Sequence, residues 1–203
     1  FRIPKFLRGK IRNELRKLRR WDLSTAKRVD LFVANSTETE RRIKEIYGRE
    51  STVIHPPVQM RFLEEPLWKG KRDYYLAIGR LVPYKRFDLA IEACNRLGAA
   101  LTIVGSGPDT ERLRRLAGPT INFVGRVSDS ELDRLAHAAR GFLFPNEEDF
   151  GMSAVEALAA GVPVVAPDVG IAREAGAIVV ERNKLAEAVV GVLKSGQRGA
   201  LKL

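Results

Sequence analysis

Two carboxylates, Glu148 and Glu156, lie in the string Glu147-Glu148-Asp149-Phe150-Gly151-Met152-Ser153-Ala154-Val155-Glu156-Ala157. An apolar run, Gly141-Phe142-Leu143-Phe144-Pro145, precedes them and reads as a buried strand; Gly161 and a second run, Val162-Pro163-Val164-Val165-Ala166, follow. The pattern predicts a strand, an acidic loop and a short helix that starts near Gly151 or Met152 and stops at Gly161. Glu148 then belongs to the loop and Glu156 to the helix. A helix start after a parallel strand presents unpaired N–H groups and a partial positive charge, which suits a diphosphate. Gly151 lets a ligand approach the backbone closely. Acidic residues near a helix start also serve the helix dipole alone, so a purely structural reading stays open. If the pair does bind, it calls for a ligand with an anionic middle and hydroxyl-rich ends, as in a nucleotide-sugar.

Cations for such an anion are available in Gly79-Arg80-Leu81-Val82-Pro83-Tyr84-Lys85-Arg86. Arg80 carries a planar donor fork and Lys85 a mobile point charge, on a Pro-containing loop that brings both within reach of one diphosphate. The loop is neither a Walker loop nor a dinucleotide fingerprint, and spacing alone equally allows two ordinary surface cations. Two further strand-end strings are Gly105-Ser106-Gly107-Pro108 and Gly125-Arg126-Val127-Ser128. Glycines there can be turn punctuation. His55 and His137 lack metal-ligand spacing, and no Asp-x-Asp pair is present to hold a divalent ion, so no metal is expected. His137 is expected to cap or flank its helix and His55 to face solvent.

These strings need a frame to hold them. From Tyr74 onward, apolar strands at 74–78, 101–104, 121–124, 141–144, 163–166 and 177–180 alternate with helical segments near 86–97, 109–117, 129–138, 152–160 and 183–194. That rhythm predicts an α/β domain over 73–203: a Rossmann-like, doubly wound parallel sheet covered on both faces, with ligand beyond the C-terminal strand ends. Residues 56–72, with Pro56, Pro57 and Pro66, read as a linker. Residues 1–55 read as a separate piece. It comprises a basic amphipathic helix over 5–20, a buried strand at 29–34, a helix to Tyr47 with Gly48 as its stop, and a short strand at 51–55. Thr37 and Glu40 stand at capping-box spacing.

Composition adds bounds. The 203 residues are 45% hydrophobic, enough for one full domain and part of another. The single cysteine, Cys94, excludes an intramolecular disulfide, fits a reducing, cytoplasmic setting and sits on a predicted core face. No apolar run approaches a membrane span. The chain starts at Phe1 without a leader pattern and is expected to be a fragment or a processed form. The net charge of +10 is concentrated: residues 1–30 hold 11 Lys/Arg against 3 Asp/Glu, and the rest is nearly neutral. A basic amphipathic helix suits an anionic membrane surface or a protein partner. Nothing resembling a nucleic-acid-binding module accompanies it.

The string Glu148-Asp149-Phe150-Gly151, then four residues, then Glu156-Ala157, resembles the donor-site motif of retaining GT-B glycosyltransferases, above all glycosyltransferase family 4. Gly79-Arg80…Lys85 resembles the same family's diphosphate element. Trp21-Asp22…Arg28-Val29-Asp30-Leu31-Phe32-Val33-Ala34-Asn35-Ser36 resembles the end of its acceptor-side domain. The resemblance covers about residues 22–175. It implies the C-terminal half of a GT-B fold, with residues 1–55 a remnant of the N-terminal half whose strand at 30–34 has no sheet of its own. It also implies roles. Arg80 and Lys85 bind the diphosphate after Gly79. Glu148 faces the transferred sugar and Glu156 the ribose hydroxyls. The N–H groups near Phe150, Gly151 and Met152 meet phosphate or sugar. Gly105 and Ser106 lie beside the nucleotide, and Arg126 or Val127 reads the base edge. The family often has Gly-Gly-x-x-Glu after Ala-Pro-Asp, where this chain has Gly170-Ile171-Ala172-Arg173-Glu174 and a shortened turn.

The expected function is therefore a metal-independent, retaining hexosyltransferase without a cofactor. Its donor is a nucleoside diphosphate sugar, which the resemblance to mannosyltransferases implies is GDP-mannose, with UDP-sugars the runner-up, and its acceptor a glycan or lipid-linked glycan of polysaccharide biosynthesis. Location is expected to be cytoplasmic, peripheral on the inner face of the cell membrane through residues 1–20. Two alternatives stay open at this level: a nucleotide-sugar epimerase of the same fold, and a non-catalytic nucleotide-sugar-binding fragment.

Overall fold

The computed structural model describes residues 4–58, 73–168, 170–181, 184, 185 and 187–189. Residues 59–72 of the linker expected over 56–72, and most of the expected helix near 183–194, lie outside them. The chain divides into two compact units, Phe1–His55 and Pro56–Leu203.

In the second unit, six strands form one parallel sheet: β3 (Tyr74–Ile78), β4 (Ala100–Val104), β5 (Ile121–Gly125), β6 (Gly141–Leu143), β7 (Val164–Ala166) and β8 (Ile178–Val179). Their order is β5-β4-β3-β6-β7-β8. The chain thus starts in the middle, builds outward through β4 and β5, then crosses back to the other side of β3. Registers Tyr75↔Leu101 and Leu76↔Phe142 place β3 between its two neighbours. This is a doubly wound sheet, and its strand order reverses between β3 and β6.

Alternation along the strands supplies two cores. Tyr75, Ala77, Leu101, Ile103, Leu143 and Val165 point to one face. There they meet Phe87, Ile91 and Cys94 of α3 (Phe87–Leu97) and Leu113 of α4 (Thr110–Leu116). Leu76, Phe142 and Val164 point to the other. They pack with Leu132 and Ala136 of α5 (Asp129–Ala138) and with Val155 and Leu158 of α6 (Met152–Ala159). A four-residue helix, α7 (Ala172–Ala175), packs on the same face; it lies in the stretch expected to be shortened and is ended by Gly176 at φ 95°. Both faces are covered, which is why these strands read as continuous apolar runs. Cys94 is a core residue whose thiol burial pushes up to about 12, far from a reactive thiolate. His137 is 6% exposed in the last turn of α5, and His55 is exposed.

The first unit contains α1 (Lys5–Ala26), β1 (Phe32–Ala34), α2 (Thr37–Tyr47) and β2 (Ser51–Val53). Helix α1 continues past the expected end at residue 20. The strand expected to lack a sheet pairs in parallel with β2, Val33 opposite Thr52, so that expectation is corrected. Nor is that strand buried throughout: Ala34 is buried, whereas Val33 is 52% exposed. A two-stranded sheet covered by one helix can bury only one face. The cap of α2 is also corrected. Ser36, not Thr37, is the N-cap, and its hydroxyl accepts from the Thr39 N–H at 3.1 Å. Glu40 lies one position too far along to close a box with it. The C-terminal stop is as expected, with Gly48 at φ 64°.

The ends of β3 and β4 approach each other more closely than side chains permit. A Cβ on Gly105, at φ 127°, would lie 1.9 Å from the Gly79 carbonyl oxygen. Gly98, at the end of α3, has φ 60° but open space around it. Gly98→Ala should therefore cost only its backbone strain, about 1 kcal/mol. Gly105→Ala must also displace backbone and should cost about 3 kcal/mol or more. Urea denaturation of the two variants checks the difference.

Candidate functional site

Where the strand order of a doubly wound sheet reverses, the loops leaving neighbouring strands diverge and open a crevice beyond the strand ends. Here those loops follow β3 and β6. Between them lies a cavity of about 560 Å³ lined by Ile78, Gly79, Tyr84, Lys85, Glu147, Glu148, Asp149, Phe150, Gly151, Met152, Ser153 and Glu156. Among the described residues a larger recess, about 840 Å³, opens near Asp168, Arg173 and Glu181 at the β7 and β8 ends. It shares only Glu147 with the first, and the strings singled out by chemistry converge on the smaller one.

Lys85 is carried by a 3₁₀ turn, Pro83–Lys85, which Pro83 starts by fixing its own φ. Arg86 closes the turn at φ 53°, a left-handed conformation uncommon for a non-glycine residue. Its guanidinium is held by Asp88. The Lys85 Nζ lies 2.6 Å from the Glu148 Oε1, with the two side chains 18% and 24% exposed. The ion pair thus bridges the loop after β3 and the loop after β6. The same Oε1 accepts a hydrogen bond from the Asn146 Nδ2 at 2.8 Å.

The acidic loop is shaped by backbone contacts. Gly151 takes φ 100° and a Cβ there would press on the Phe144 ring at 3.0 Å. It caps α6, whose first turn faces the cavity through Met152 and Ser153. Phe150 is 6% exposed and anchors the loop in the core. Gly170 approaches from the far side: a Cβ on it would lie 2.7 Å from the Glu148 carbonyl oxygen and 2.6 Å from that of Phe150. The Ile171 N–H donates to the Phe150 carbonyl at 3.0 Å. The turn after Gly170 therefore braces the Glu148 loop.

The sequence-derived residues fall into three groups. Gly79, Lys85, Glu148, Phe150, Gly151, Met152 and Glu156 all line the cavity. Gly105 and Ser106 do not line it but are tied to the same loop. The Gly79 N–H donates to the Val104 carbonyl and the Leu81 N–H to the Ser106 carbonyl at 3.1 Å. Arg126 and Val127 lie one strand further out. They follow Gly125, whose carbonyl accepts from the Gly105 N–H at 2.7 Å, and Arg126 is exposed. Arg80 shares the loop with Lys85 but is exposed and absent from the cavity wall. Sequence reasoning missed Tyr84, which lines the cavity at 64% exposure, and Asn146, which is 2% exposed. The signal for Asn146 was present: it is the first polar residue after the apolar run 141–145.

Chemically, the cavity offers one ammonium, a helix start and four carboxylates, Glu147, Glu148, Asp149 and Glu156. An anion can be taken by Lys85 and the first turn of α6. The carboxylates accept hydrogen bonds only and suit hydroxyls. Among the described residues no three His, Cys, Asp or Glu side chains are grouped to hold a metal ion.

The family model for glycosyl transferases group 1 matches residues 72–195. A GDP-mannose-dependent alpha-(1-6)-phosphatidylinositol monomannoside mannosyltransferase of Mycobacterium tuberculosis is 31% identical over 192 residues, covering 80% of this chain and 49% of the relative. A GDP-mannose-dependent alpha-mannosyltransferase of Mycolicibacterium smegmatis is 36% identical over 164 residues, covering 76% of this chain and 44% of the relative. The chain spans about half the length of these relatives. Among solved structures, Anabaena HepE in complex with UDP superposes with a TM-score of 0.75 at 22% identity, over 91% of this chain and 60% of that one. A glycosyltransferase from Rickettsia africae gives 0.71 at 18% identity, over 95% and 58%.

The brace at Gly170 is testable. Gly170→Ala must push the Phe150 and Glu148 carbonyls away. Amide hydrogen exchange at Ile171 should then quicken by about tenfold or more, as a loss of at least about 1.4 kcal/mol in local stability requires. The Leu101 amide in the sheet should hold its protection.

Proposed function

Because this chain belongs to the group 1 glycosyl transferases, we propose that it supplies the donor site of a hexosyltransferase that moves a sugar from a nucleoside diphosphate to a glycan or lipid-linked acceptor. The observation that carries the proposal is the Lys85–Glu148 contact across the strand-order reversal, beside the start of α6. It sets a cation for phosphate next to a carboxylate for sugar hydroxyls, within one crevice. Lys85 and the first turn of α6 take the diphosphate. Arg80 joins them from the same loop by a change of rotamer on binding. Glu156 accepts from the ribose, Glu148 from the transferred sugar, and the β4 and β5 ends at Gly105, Ser106, Arg126 and Val127 flank the nucleoside.

The chemistry asked of these groups is stabilisation of charge on the departing nucleoside diphosphate. Cations and oriented N–H groups supply it without reorganising as the bond breaks. Retention at the anomeric carbon and independence of a divalent metal are part of the proposal, as the family resemblance implies. GDP-mannose is the proposed donor, because relatives at 31% and 36% identity are GDP-mannose-dependent. Those relatives are transferases, which favours transfer over epimerisation.

Helix α1 supports a second element of the proposal, attachment to an anionic membrane surface. Its 22 residues include none that is buried in this chain. Phe6, Leu15, Leu18 and Trp21 are 81%, 53%, 57% and 65% exposed, amid Arg8, Arg12, Arg16, Lys17, Arg19 and Arg20. No described helix is long and apolar enough to cross a membrane. An in-plane amphipathic helix fits that combination, each basic residue contributing about 1 kcal/mol near an anionic surface. On this reading the protein works in the cytoplasm, peripheral on the inner face of the cell membrane, where a lipid-linked acceptor resides.

Two measurements test the proposal. In a thermal-shift panel of GDP, UDP and ADP, GDP should raise the melting temperature most. At a hundredfold excess over Kd the stabilisation is about 2.7 kcal/mol. Lys85→Ala should abolish the shift and, in the full-length protein, lower turnover by about 10²–10³. A UDP response without a GDP response overturns the donor assignment, and an unchanged Lys85→Ala overturns the phosphate role. Separately, the protein should sediment with anionic vesicles at low salt and release at high salt. Retention by neutral vesicles alone, or by none, removes the membrane element and leaves α1 as a protein-docking helix.

A further inference from the structure

We propose that Asn146 is a positioning residue that aims the Glu148 carboxylate at the sugar once the donor is bound. The proposal rests on the donor site argued above and concerns a residue to which that reading gives no role.

Asn146 follows Pro145 at the end of the β6 apolar run and is 2% exposed. A buried primary amide must satisfy its polar atoms within the protein. Its Nδ2 donates to the Glu148 Oε1 at 2.8 Å. The assignment of that atom as nitrogen follows from chemistry, because a carboxylate only accepts and the amide oxygen would repel it. The Lys85 ammonium is ion-paired with the same Oε1 at 2.6 Å. Both groups therefore hold one oxygen, and among the described side chains none holds Oε2, which can accept from a ligand.

The two groups differ in what a donor substrate does to them. Lys85 ends a flexible four-carbon stem, and a diphosphate in the cavity competes for its ammonium. When Lys85 turns to phosphate, Glu148 loses its ion-pair partner and keeps the Asn146 hydrogen bond. Asn146 stays, because it is buried and carries no charge for the diphosphate to draw away. The backbone under Glu148 is braced by Gly170, but that brace fixes no side-chain torsion. Asn146 is then the group that keeps Oε1 in place and Oε2 presented. An asparagine that merely satisfied the core would affect folding and binding of every ligand alike; a positioning asparagine affects the sugar and spares the nucleotide.

That contrast sets the experiment. Calorimetric titration of the intact chain with GDP and with GDP-mannose, and in parallel with UDP and UDP-glucose, gives the preference for the sugar-bearing form in the wild type. Asn146→Ser removes the reach of the donor with little change of polarity, and Asn146→Leu removes it at similar volume in case the serine variant is unstable. In both, affinity for the free nucleoside diphosphate should stay within about twofold. The preference for the sugar-bearing form should fall about tenfold, as loss of an oriented charged hydrogen bond predicts. A preference equal to the wild type's in either folded variant overturns the proposal while leaving the donor site standing. A wild type that binds none of the four ligands overturns both.

Discussion

Strand β3 is hydrogen-bonded on both sides by strands from opposite halves of the sheet, β4 and β6. This double pairing is the constraint on which the rest depends. Loops leaving two strands of one layer would lie side by side; those after β3 and β6 lead to helices on opposite faces and part. The crevice between them follows from topology before any side chain is considered. Its walls then depend on how closely neighbouring backbones can come together. Among the described residues, Gly105 against the Gly79 carbonyl, Gly107 against the Leu81 backbone and Gly170 against the Glu148 and Phe150 carbonyls are places where backbone excludes a Cβ. Each presses on one of the two loops that line the cavity.

The electrostatics of the crevice are unbalanced in an instructive way. One ammonium faces four carboxylates. A site built only for phosphate would reverse that ratio. A site for a ligand whose anionic part is small beside its hydroxyl-bearing parts would look like this one. The Lys85–Glu148 pair satisfies both charges within the cavity, three-quarters or more of each side chain being out of water. On the proposed reading, a diphosphate gains Lys85 at the cost of an existing pair, which moderates affinity and makes the orientation of Glu148 depend on Asn146.

The first unit follows a different logic. Its sheet has two strands, β1 and β2, and α2 is tied down by Ser36 at one end and Gly48 at the other. Phe32 stacks on Tyr47 at 5.6 Å, and the Arg49 guanidinium lies over the Phe32 ring. Helix α1 is tied to the rest of this unit through the Tyr47 hydroxyl, which donates to Asp22 at 2.9 Å, and through Arg49, which donates to the Ala26 carbonyl at the helix end and to those of Val29 and Asp30 just beyond it. These contacts hold its C-terminal end and leave its apolar positions to water.

Much of this was legible in the sequence. Continuous apolar strands alternating with helices determined a parallel sheet covered on both faces, since only such strands are apolar at every position. The order of the strings determined that Lys85, Glu148 and Glu156 each leave or follow a strand end, and burial of Cys94 followed from its helix face. Tertiary structure alone decided which strand ends are neighbours, because strand order depends on packing between segments far apart in the chain. It decided that Lys85 enters the cavity while Arg80, five residues earlier, stays outside, a matter of the 3₁₀ turn between them. It gave the strand at 32–34 a partner nineteen residues on, in Ser51–Val53, a parallel pairing that leaves no local signature. And it brought Asn146 onto the same carboxylate oxygen as Lys85, a convergence of residues 61 positions apart that only the meeting of β3 and β6 can produce.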